Sequence, residues 1–341
     1  MKIVDLRSDT VTRPTQEMRE AMYRAEVGDD VLGEDPTVRR LEETAADMVG
    51  KEAALFVTSG TMGNQVAILT HTARGNEVIV DDESHIFYYE VGAAAMLSSV
   101  QLRPMAGLHG RDALALAGAA IRDENIHYPK TTLLCLENTH NRRSGTVMRP
   151  ETMGELYRLA KGRGVAVHVD GARIFNAAAA LGSDVRAFTQ YCDSIMFCLS
   201  KGLGAPVGSM LAGNREFIER ARKYRKALGG GMRQAGILAA AGLVALQSVD
   251  RLAEDHGHAR LLAECLAEVS GIKVDLNRVQ TNIVVADVTG TGMTAGDYVA
   301  ALKHRGVLAG TFGPNLVRFV THRDVSRQDI DYAIGVVQNL N

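Results

Sequence analysis

An aspartate and a lysine, each placed where a buried strand is predicted to end, are the residues best suited to chemistry. Residues 165–169 form an apolar run that leads into Asp170, and residues 194–198 form another that is followed by Lys201. In open α/β sheets, ligands bind outside the carboxyl ends of the strands. Asp170 could there hold a ring nitrogen protonated, and Lys201 could form a Schiff base. The alternatives are that Asp170 caps a helix and that Lys201 extends from a strand end into solvent.

A loop between a predicted strand and a predicted helix supplies a third chemical feature. Residues 59–64 (SGTMGN) follow the apolar run 53–57 and precede a helical pattern. Glycine lets the backbone approach an anion, and the free N–H groups of a helix start bind phosphate. The loop matches neither a Walker motif nor G-x-G-x-x-G, so alone it is a weak signal. Together with Asp170 and Lys201, it completes the set of groups that pyridoxal phosphate requires.

The elements that must position these groups follow from alternating apolar runs and amphipathic stretches. Strands buried on both faces are predicted at residues 53–57, 77–80, 132–136, 165–169, 194–198 and 207–212. Helical patterns separate most of them, for example at 150–162 and 214–227. This order predicts an α/β fold with a mostly parallel sheet between two layers of helices.

The pattern changes after a long helical stretch that begins past the triple glycine 229–231 and breaks near 255–257. Beyond it, strands are predicted near 272–275, 282–287 and 315–321, and helices near 294–305 and 326–340. This mixture is typical of a smaller C-terminal α+β domain. We therefore predict a large cofactor-binding domain with an N-terminal arm over residues 1–250 and a small domain over residues 251–341.

Composition excludes several classes of function. With 38 Lys and Arg against 40 Asp and Glu, the net charge of −2 lacks the basic excess typical of nucleic-acid-binding proteins. The longest apolar stretch, 235–246, is shorter than the roughly 20 residues that span a bilayer, and the charged N-terminus lacks the apolar run of a signal peptide. The four cysteines form no CxxC pair, which favours the reducing cytoplasm. The expected partner is a small molecule, not a nucleic acid or a membrane.

An acidic cluster near the N-terminus invites a metal-site interpretation. It consists of Asp29, Asp30, Glu34 and Asp35, and its spacing matches no EF-hand loop. Helix capping is the favoured interpretation, with Asp35 as the N-cap before Pro36, and we predict no metal site.

Over nearly its whole length the sequence resembles the L-threonine aldolases of low or L-allo specificity, which are fold type I pyridoxal-phosphate enzymes. The segments that carry the resemblance are 5–12 (DLRSDTVT), 28–31 (GDDV), 33–36 (GEDP), 59–64, 136–140 (LENTH), 168–175, 199–208 and 229–234 (GGGMRQ). Leu32 departs from the tyrosine of the family pattern, at a position where a change would alter the substrate pocket or a subunit contact. The resemblance implies an aspartate-aminotransferase-like fold with a sheet of seven strands.

The resemblance also implies roles for single residues. Lys201 would hold the cofactor as a Schiff base, Asp170 would pair with its ring nitrogen, and Gly60 and Thr61 would take its phosphate. Arg173 would lie near the cofactor's 3′-oxygen or the substrate carboxylate. Ser8 and Arg318 would hold the substrate α-carboxylate, with the arginine suited to a bidentate grip. From pattern alone, Arg318 could equally lie on an exposed strand face, and Ser8 could simply be solvated.

Two histidines and two basic residues receive further roles from the resemblance. His85 would stack on the cofactor, and either His85 or His127 would assist proton transfer at the substrate β-hydroxyl, directly or through water. Lys226 and Arg233 flank the triple glycine and would face the active site of a neighbouring subunit in a homotetramer built as a dimer of dimers. The alternatives are that His85 and His127 have structural roles only, and that Lys226 and Arg233 belong to an ordinary basic helix end.

The reaction implied is retro-aldol cleavage of L-threonine or L-allo-threonine, and of other L-β-hydroxy-α-amino acids, to glycine and an aldehyde. Two alternatives stay open: another pyridoxal-phosphate reaction on the same fold, such as β-elimination or transamination, and a homologue that binds the cofactor without catalysis. The sequence contains no G-x-S-x-G elbow, which disfavours a serine hydrolase.

Overall fold

The computed structural model describes residues 2–340 of the chain, as alternating helices and strands. The helices are α1 (Gln16–Tyr23), α2 (Pro36–Met48), α3 (Gly60–His71), α4 (His85–Tyr88), α5 (Ala93–Ser98), α6 (Ala113–Ala120), α7 (Pro150–Gly162), α8 (Ile174–Leu181), α9 (Arg186–Thr189), α10 (Arg215–Ala227), α11 (Gly236–Leu246), α12 (Leu252–Ala267), α13 (Ala295–His304) and α14 (Arg327–Gln338). The strands are β1 (Val4–Asp5), β2 (Ala53–Val57), β3 (Glu77–Asp81), β4 (Gln101–Met105), β5 (Thr131–Glu137), β6 (Ala166–Asp170), β7 (Ser194–Cys198), β8 (Ser209–Gly213), β9 (Lys273–Val274), β10 (Ile283–Asp287), β11 (Val307–Leu308), β12 (Gly310–Thr311) and β13 (Leu316–Val320).

The predicted mostly parallel α/β sheet is confirmed. Within the described residues the central sheet has seven strands in the order β2-β8-β7-β6-β5-β3-β4. The neighbours from β7 through β4 run parallel, whereas β8 runs antiparallel to both β7 and β2. Parallel strands bring their carboxyl ends to one edge of the sheet, so the end of β6 and the segment after β7 lie side by side there.

Local sequence explains why these elements form where they do. Asp35 caps α2 as predicted, since its side chain accepts hydrogen bonds from the N–H groups of Thr37 and Val38, and Pro36 occupies the first turn. Val38, Leu41 and Ala45 form the buried face of this helix. Strands β3, β7 and β8 are buried along their whole length, which is why their central residues are visible in the sequence as short apolar runs.

A second, four-stranded sheet lies toward the C-terminus, in the order β12-β13-β10-β9, all of it antiparallel. It carries a hydrophobic core of its own, which includes Tyr298, Phe319 and Ile330. Val4 and Leu6 pack in this second core, and β1 pairs with β11. The N-terminal arm therefore packs against the C-terminal sheet, although we predicted its residues within the large domain. The division at residue 250 stays a prediction.

One predicted helix break was wrong, and an edge strand was not predicted. The helical stretch after 229–231 is interrupted at residues 247–251 and not at 255–257, because α12 continues through that segment with Asp255 buried and paired with Arg251. Strand β4 was missed because its sequence QLRPM is polar, as suits a partly exposed strand at the sheet edge. Within residues 2–340 no single helix has the length and apolar composition of a membrane span; α11 and the segment 249–267 pass that test only as a pair bent by 56°.

Candidate active site

A cavity of about 490 Å³ opens at the carboxyl ends of β6 and β7 and is closed on one side by the β12–β13 hairpin. This volume suits a small ligand. The predicted residues that line it are Ser8, Gly60, Thr61, His85, Asp170, Arg173, Lys201 and Arg318. The structure thus brings together side chains from both ends of the chain, as the sequence interpretation requires.

The loop 59–64 forms the start of α3 at one side of the cavity. The Ser59 side chain caps the helix by accepting a hydrogen bond from the N–H of Met62, at 3.1 Å. Glycine is required because of close packing: a Cβ atom at Gly63 would lie 2.5 Å from Cγ of Met196, and one at Gly60 would lie 3.0 Å from Sγ of Cys198. Gly60 and Thr61, in the first turn of α3, line the cavity, so their N–H groups are available for an anion.

Asp170 is the last residue of β6 and is 2% exposed. One carboxylate oxygen accepts a hydrogen bond from Nδ2 of Asn64 at 2.8 Å, and the other accepts one from the N–H of Ala172 at 3.1 Å. Helix α8 begins later, with Arg173 at its N-cap, so the interpretation of Asp170 as that helix's cap is excluded. The carboxylate is instead held in the wall of the cavity.

Lys201 lies three residues beyond β7 and is half-buried in the cavity. A tight turn places it there: the N–H of Gly204 donates to the Lys201 carbonyl at 2.9 Å, and Gly204 has a φ of 83°. Among residues 2–340, no carboxylate forms an ion pair with its amine. The amine is therefore available to react with a ligand.

Arg173 is bound by Asp9, a residue that the sequence analysis did not single out. Nε and Nη2 of Arg173 donate to the two Asp9 oxygens at 2.6 and 2.7 Å, and Nδ2 of Asn282 donates to Asp9 at 3.2 Å. Burial alone would raise the pKa of Asp9, but the charge and hydrogen bonds of Arg173 hold it well below its usual range. Asp9 is 0% exposed, so the pair fixes Arg173 rigidly at the cavity wall.

Arg318 lies on β13, is half-buried and lines the cavity, so it does not lie on an exposed strand face. Its Nη1 donates to Oδ1 of Asn141 at 2.9 Å, and its Nη2 donates to the Arg7 carbonyl at 3.3 Å. Its guanidinium carbon lies 5.1 Å from the ring centre of Phe312. Ser8 lies nearby and caps a short 3-10 turn by accepting from the N–H of Thr10.

His85 opens the short helix α4 and is held by two carboxylates. Its Nδ1 lies 2.8 Å from Oε1 of Glu90, and its backbone N–H donates to Glu137 at 2.6 Å. Burial alone would lower the pKa of His85, but the hydrogen bond with Glu90 and the charges of Asp170 and Glu90 raise it above its usual value. Because Nδ1 is bound to Glu90, Nε2 is the ring atom left for a ligand.

The structure places three predicted residues outside this cavity. His127 lies in an exposed turn, where its backbone N–H donates to Oδ1 of Asn125. Lys226 is exposed at the end of α10, and Arg233 pairs with Asp29 at 2.8 Å with its side chain 59% exposed. In a single chain none of the three reaches the cavity, so a part for them in catalysis requires a second chain. Leu32 is also outside the cavity and is 68% exposed.

Sequence reasoning missed several residues that shape the cavity, among them Asn64, Glu90, Glu137, Asn141 and Phe312. Asn64 and Glu137 lie in segments that carry the family resemblance, and this is the signal that could have identified them. Phe312 follows a strand of two residues, which is too short to produce a periodic pattern.

Comparisons with known proteins agree with this geometry. The family model of the beta-eliminating lyases matches residues 5–289. The low-specificity L-threonine aldolase of Escherichia coli (strain K12) is 49% identical over 96% of this chain and 96% of its own length, and low-specificity L-threonine aldolase 1 of Arabidopsis thaliana is 47% identical over 99% and 96%. The solved threonine aldolase of Leishmania major shares the fold, with a TM-score of 0.84, 18% identity and coverage of 98% and 99%. The chain therefore belongs to the beta-eliminating lyase family and, within it, to the low-specificity L-threonine aldolases.

Proposed function

We propose that this chain is a pyridoxal-phosphate-dependent aldehyde-lyase that cleaves L-threonine and L-allo-threonine to glycine and acetaldehyde. Other L-β-hydroxy-α-amino acids would give glycine and the corresponding aldehyde. The observation that carries this proposal is that Lys201, Asp170 and Arg318 line one cavity of ligand size. The relatives at 47% and 49% identity are named low-specificity L-threonine aldolases, which supports the same reaction.

The groups in the cavity fit pyridoxal phosphate. Gly60 and Thr61, at the start of α3, would hold the phosphate, and Asp170 would accept a hydrogen bond from the ring nitrogen. Lys201 supplies the unpaired amine that would bind the aldehyde carbon, and the His85 ring would cover one face of the cofactor. When bound, the cofactor serves as an electron sink for the negative charge that develops on the substrate Cα atom.

Arg318 and Ser8 would orient the substrate through its α-carboxylate. A guanidinium has five N–H groups, so Arg318 keeps free donors beyond its bonds to Asn141 and to the Arg7 carbonyl. Arg173 adds positive charge, but its Nε–Nη2 edge is occupied by Asp9. A fixed carboxylate places the Cα–Cβ bond in the orientation for cleavage, which is a positioning effect.

A base must take the proton of the β-hydroxyl as the Cα–Cβ bond breaks. His85 suits this role, because Glu90 holds Nδ1 and leaves Nε2 facing the cavity. His127 is the alternative. It would have to enter the cavity of a neighbouring chain, since it is exposed and outside its own.

We further propose a homotetramer, arranged as a dimer of dimers, in the cytoplasm. Lys226 and Arg233 would complete the cavity of a neighbour, which agrees with their exposure in the single chain. Large exposed apolar side chains such as Tyr23, Leu32 and Ile237 are consistent with a surface that a second copy covers. Four free cysteines, three of them buried, suit a reducing compartment.

Product analysis with the four stereoisomers of threonine tests the reaction. We expect equal amounts of glycine and acetaldehyde from L-threonine and L-allo-threonine, and none from the D-isomers. Formation of ammonia and a 2-keto acid would show β-elimination, and turnover that requires a keto-acid acceptor would show transamination. A protein that binds the cofactor but releases no product from any isomer would be a non-catalytic homologue. Each of the last three outcomes would refute the aldolase proposal.

A further inference from the structure

A continuous chain of hydrogen bonds runs through the sheet behind Asp170. It begins at His71 at the end of α3, whose Nε2 lies 2.7 Å from Oγ of Ser194, and that oxygen lies 2.9 Å from Nδ1 of His168. Nε2 of His168 lies 3.1 Å from Oδ1 of Asn64, and Nδ2 of Asn64 donates to Asp170 at 2.8 Å. Ser194, His168 and Asn64 are each 0% exposed. A buried polar chain of this kind is stabilising only when every member is paired.

The direction of the chain is fixed at Asn64. Its Nδ2 lies 2.8 Å from a carboxylate oxygen of Asp170 and 2.8 Å from one of Glu90. A rotated amide would place its carbonyl oxygen against both carboxylates, which accept but do not donate hydrogen bonds when ionised. Nδ2 therefore donates to both, and Oδ1 must accept from His168.

The remaining bonds follow from this assignment. His168 carries its proton on Nε2, and because burial lowers the pKa of His168 to about 3, the ring is neutral and Nδ1 is an acceptor. The Ser194 hydroxyl donates to Nδ1, so its oxygen accepts from Nε2 of His71. Burial lowers the pKa of His71 to about 4, so that ring is neutral as well. Every donor in the chain points toward Asp170.

We propose that Asn64, His168, Ser194 and His71 are positioning residues that hold the anionic carboxylate of Asp170 aimed at the ring nitrogen of the cofactor. The proposal rests on the cofactor site proposed above. Asn64 donates a hydrogen bond to Asp170 directly, whereas the other three residues act on Asp170 through Asn64. Because each hydrogen bond polarises the next, a donor at the far end of the chain strengthens the bond that reaches Asp170.

The proton positions can be measured without the cofactor. In the full-length protein labelled with ¹⁵N-histidine, long-range ¹H–¹⁵N spectra distinguish the two neutral tautomers from the charged ring. We expect His168 to be neutral with its proton on Nε2, both with and without bound pyridoxal phosphate, and His168→Phe assigns the signal. A proton on Nδ1, or a charged ring, would overturn the proposal whether or not the protein is an aldolase.

The affinity for the cofactor tests whether the hydrogen-bond chain acts on Asp170. We expect His168→Phe to weaken the binding of pyridoxal phosphate to the cofactor-free protein by about tenfold and to change the visible absorption of the bound form. His168→Gln, whose amide can still donate to Asn64, should recover part of the loss. The matched control is His258→Phe, which removes another buried histidine that is not part of the hydrogen-bond chain.

A structural role alone would lower the melting temperature in both phenylalanine variants and leave cofactor affinity equal, and that result would overturn the proposal. If His168→Phe does not fold, Ser194→Ala tests the same point against Ser209→Ala. Ser209 is buried in the same sheet, and its hydroxyl has no partner among residues 2–340. We expect the affinity for pyridoxal phosphate to fall by about threefold in Ser194→Ala and not in Ser209→Ala. Equal affinities in the two variants would refute an effect of the hydrogen-bond chain on Asp170.

Discussion

At the scale of single residues, two arginines have different parts in the cavity. Arg173 is 7% exposed and bound through Nε and Nη2 to the buried Asp9 carboxylate. Arg318 is half-buried and held by neutral oxygen acceptors of Asn141 and Arg7. The positive charge of Arg173 is thus largely balanced within the protein, whereas that of Arg318 is available for a substrate carboxylate. Arg318 is therefore the residue we expect to bind the substrate carboxylate.

Replacing Arg318 separates substrate binding from cofactor binding. We expect Arg318→Ala to raise the KM for L-allo-threonine by about 10- to 100-fold, since a lost charged hydrogen-bond partner costs roughly 1.5–3 kcal/mol. The visible absorption and affinity of bound pyridoxal phosphate should not change. Arg327→Ala, on the exposed side of α14, is the control with an unaffected KM. An unaltered KM in Arg318→Ala would contradict the assignment.

The sequence predicted the cavity residues whose position follows from local pattern. Asp170 and Lys201 were identified because each follows a buried strand, and loop 59–64 because it joins a strand to a helix. Asp9 and Glu137 could not be identified in this way, since their roles depend on partners far along the chain. Asp9 binds Arg173, and Glu137 binds the backbone of His85.

At the scale of elements, α12 joins the two hydrophobic cores. Leu252 at its start belongs to the core of the central sheet, and Leu262 and Leu266 belong to the second core. Asp255 lies between them, fully buried, with Oδ1 accepting from Arg251 at 3.1 Å. Desolvation raises the pKa of Asp255 to about 6, above the roughly 3.9 of an unfolded chain. The sequence predicted a helix break here because a polar triplet with glycine resembles a turn. The burial of Asp255 and its i,i+4 ion pair with Arg251 override that tendency.

The raised pKa of Asp255 predicts a pH-dependent stability. Because the pKa of Asp255 is higher in the folded than in the unfolded protein, folding favours the protonated carboxyl group. Its contribution to the free energy of unfolding is fully present below about pH 4 and is lost as pH rises through about 6. Asp255→Asn should therefore raise the free energy of unfolding by roughly 3 kcal/mol at pH 8, with little effect at pH 4. Chemical denaturation at the two pH values measures this difference. A difference that is the same at both would contradict the role of Asp255 ionisation.

Burial and length decide which strands can be predicted from a sequence pattern. The fully buried strands β3, β7 and β8 contain short apolar runs and were predicted. Strands β11 and β12 have two residues each, too few for any periodicity, and they form through pairing with β1 and β13.

At the scale of the whole molecule, the N-terminal arm connects the second core to the cavity. Strand β1 pairs with β11, and the residues that follow it bring Ser8 and Asp9 to the cavity wall. The cavity is therefore assembled from the central sheet, the arm and the β12–β13 hairpin. The proposed neighbour would add Lys226 and Arg233, which are exposed in the single chain.

Mixing of inactive variants tests this sharing of sites. If Lys201 and the Lys226–Arg233 pair act in the same cavity from different chains, a Lys201→Ala chain co-expressed with a Lys226→Ala/Arg233→Ala chain forms some intact cavities. Random pairing predicts recovery of roughly a quarter of the native activity, although each variant alone is inactive. Absence of recovery, or full activity of the double variant alone, would contradict a shared cavity.

The decisive test of the proposed reaction is the rate of acetaldehyde release from L-allo-threonine by the native protein and by Lys201→Ala, both saturated with pyridoxal phosphate. Lys303→Ala, on α13 and outside the cavity, controls for the loss of a lysine. We expect the native protein and the control to release acetaldehyde and glycine in equal amounts, and Lys201→Ala to release neither at a comparable rate. Native-like release from Lys201→Ala, or no release from the native protein, would contradict the proposed reaction.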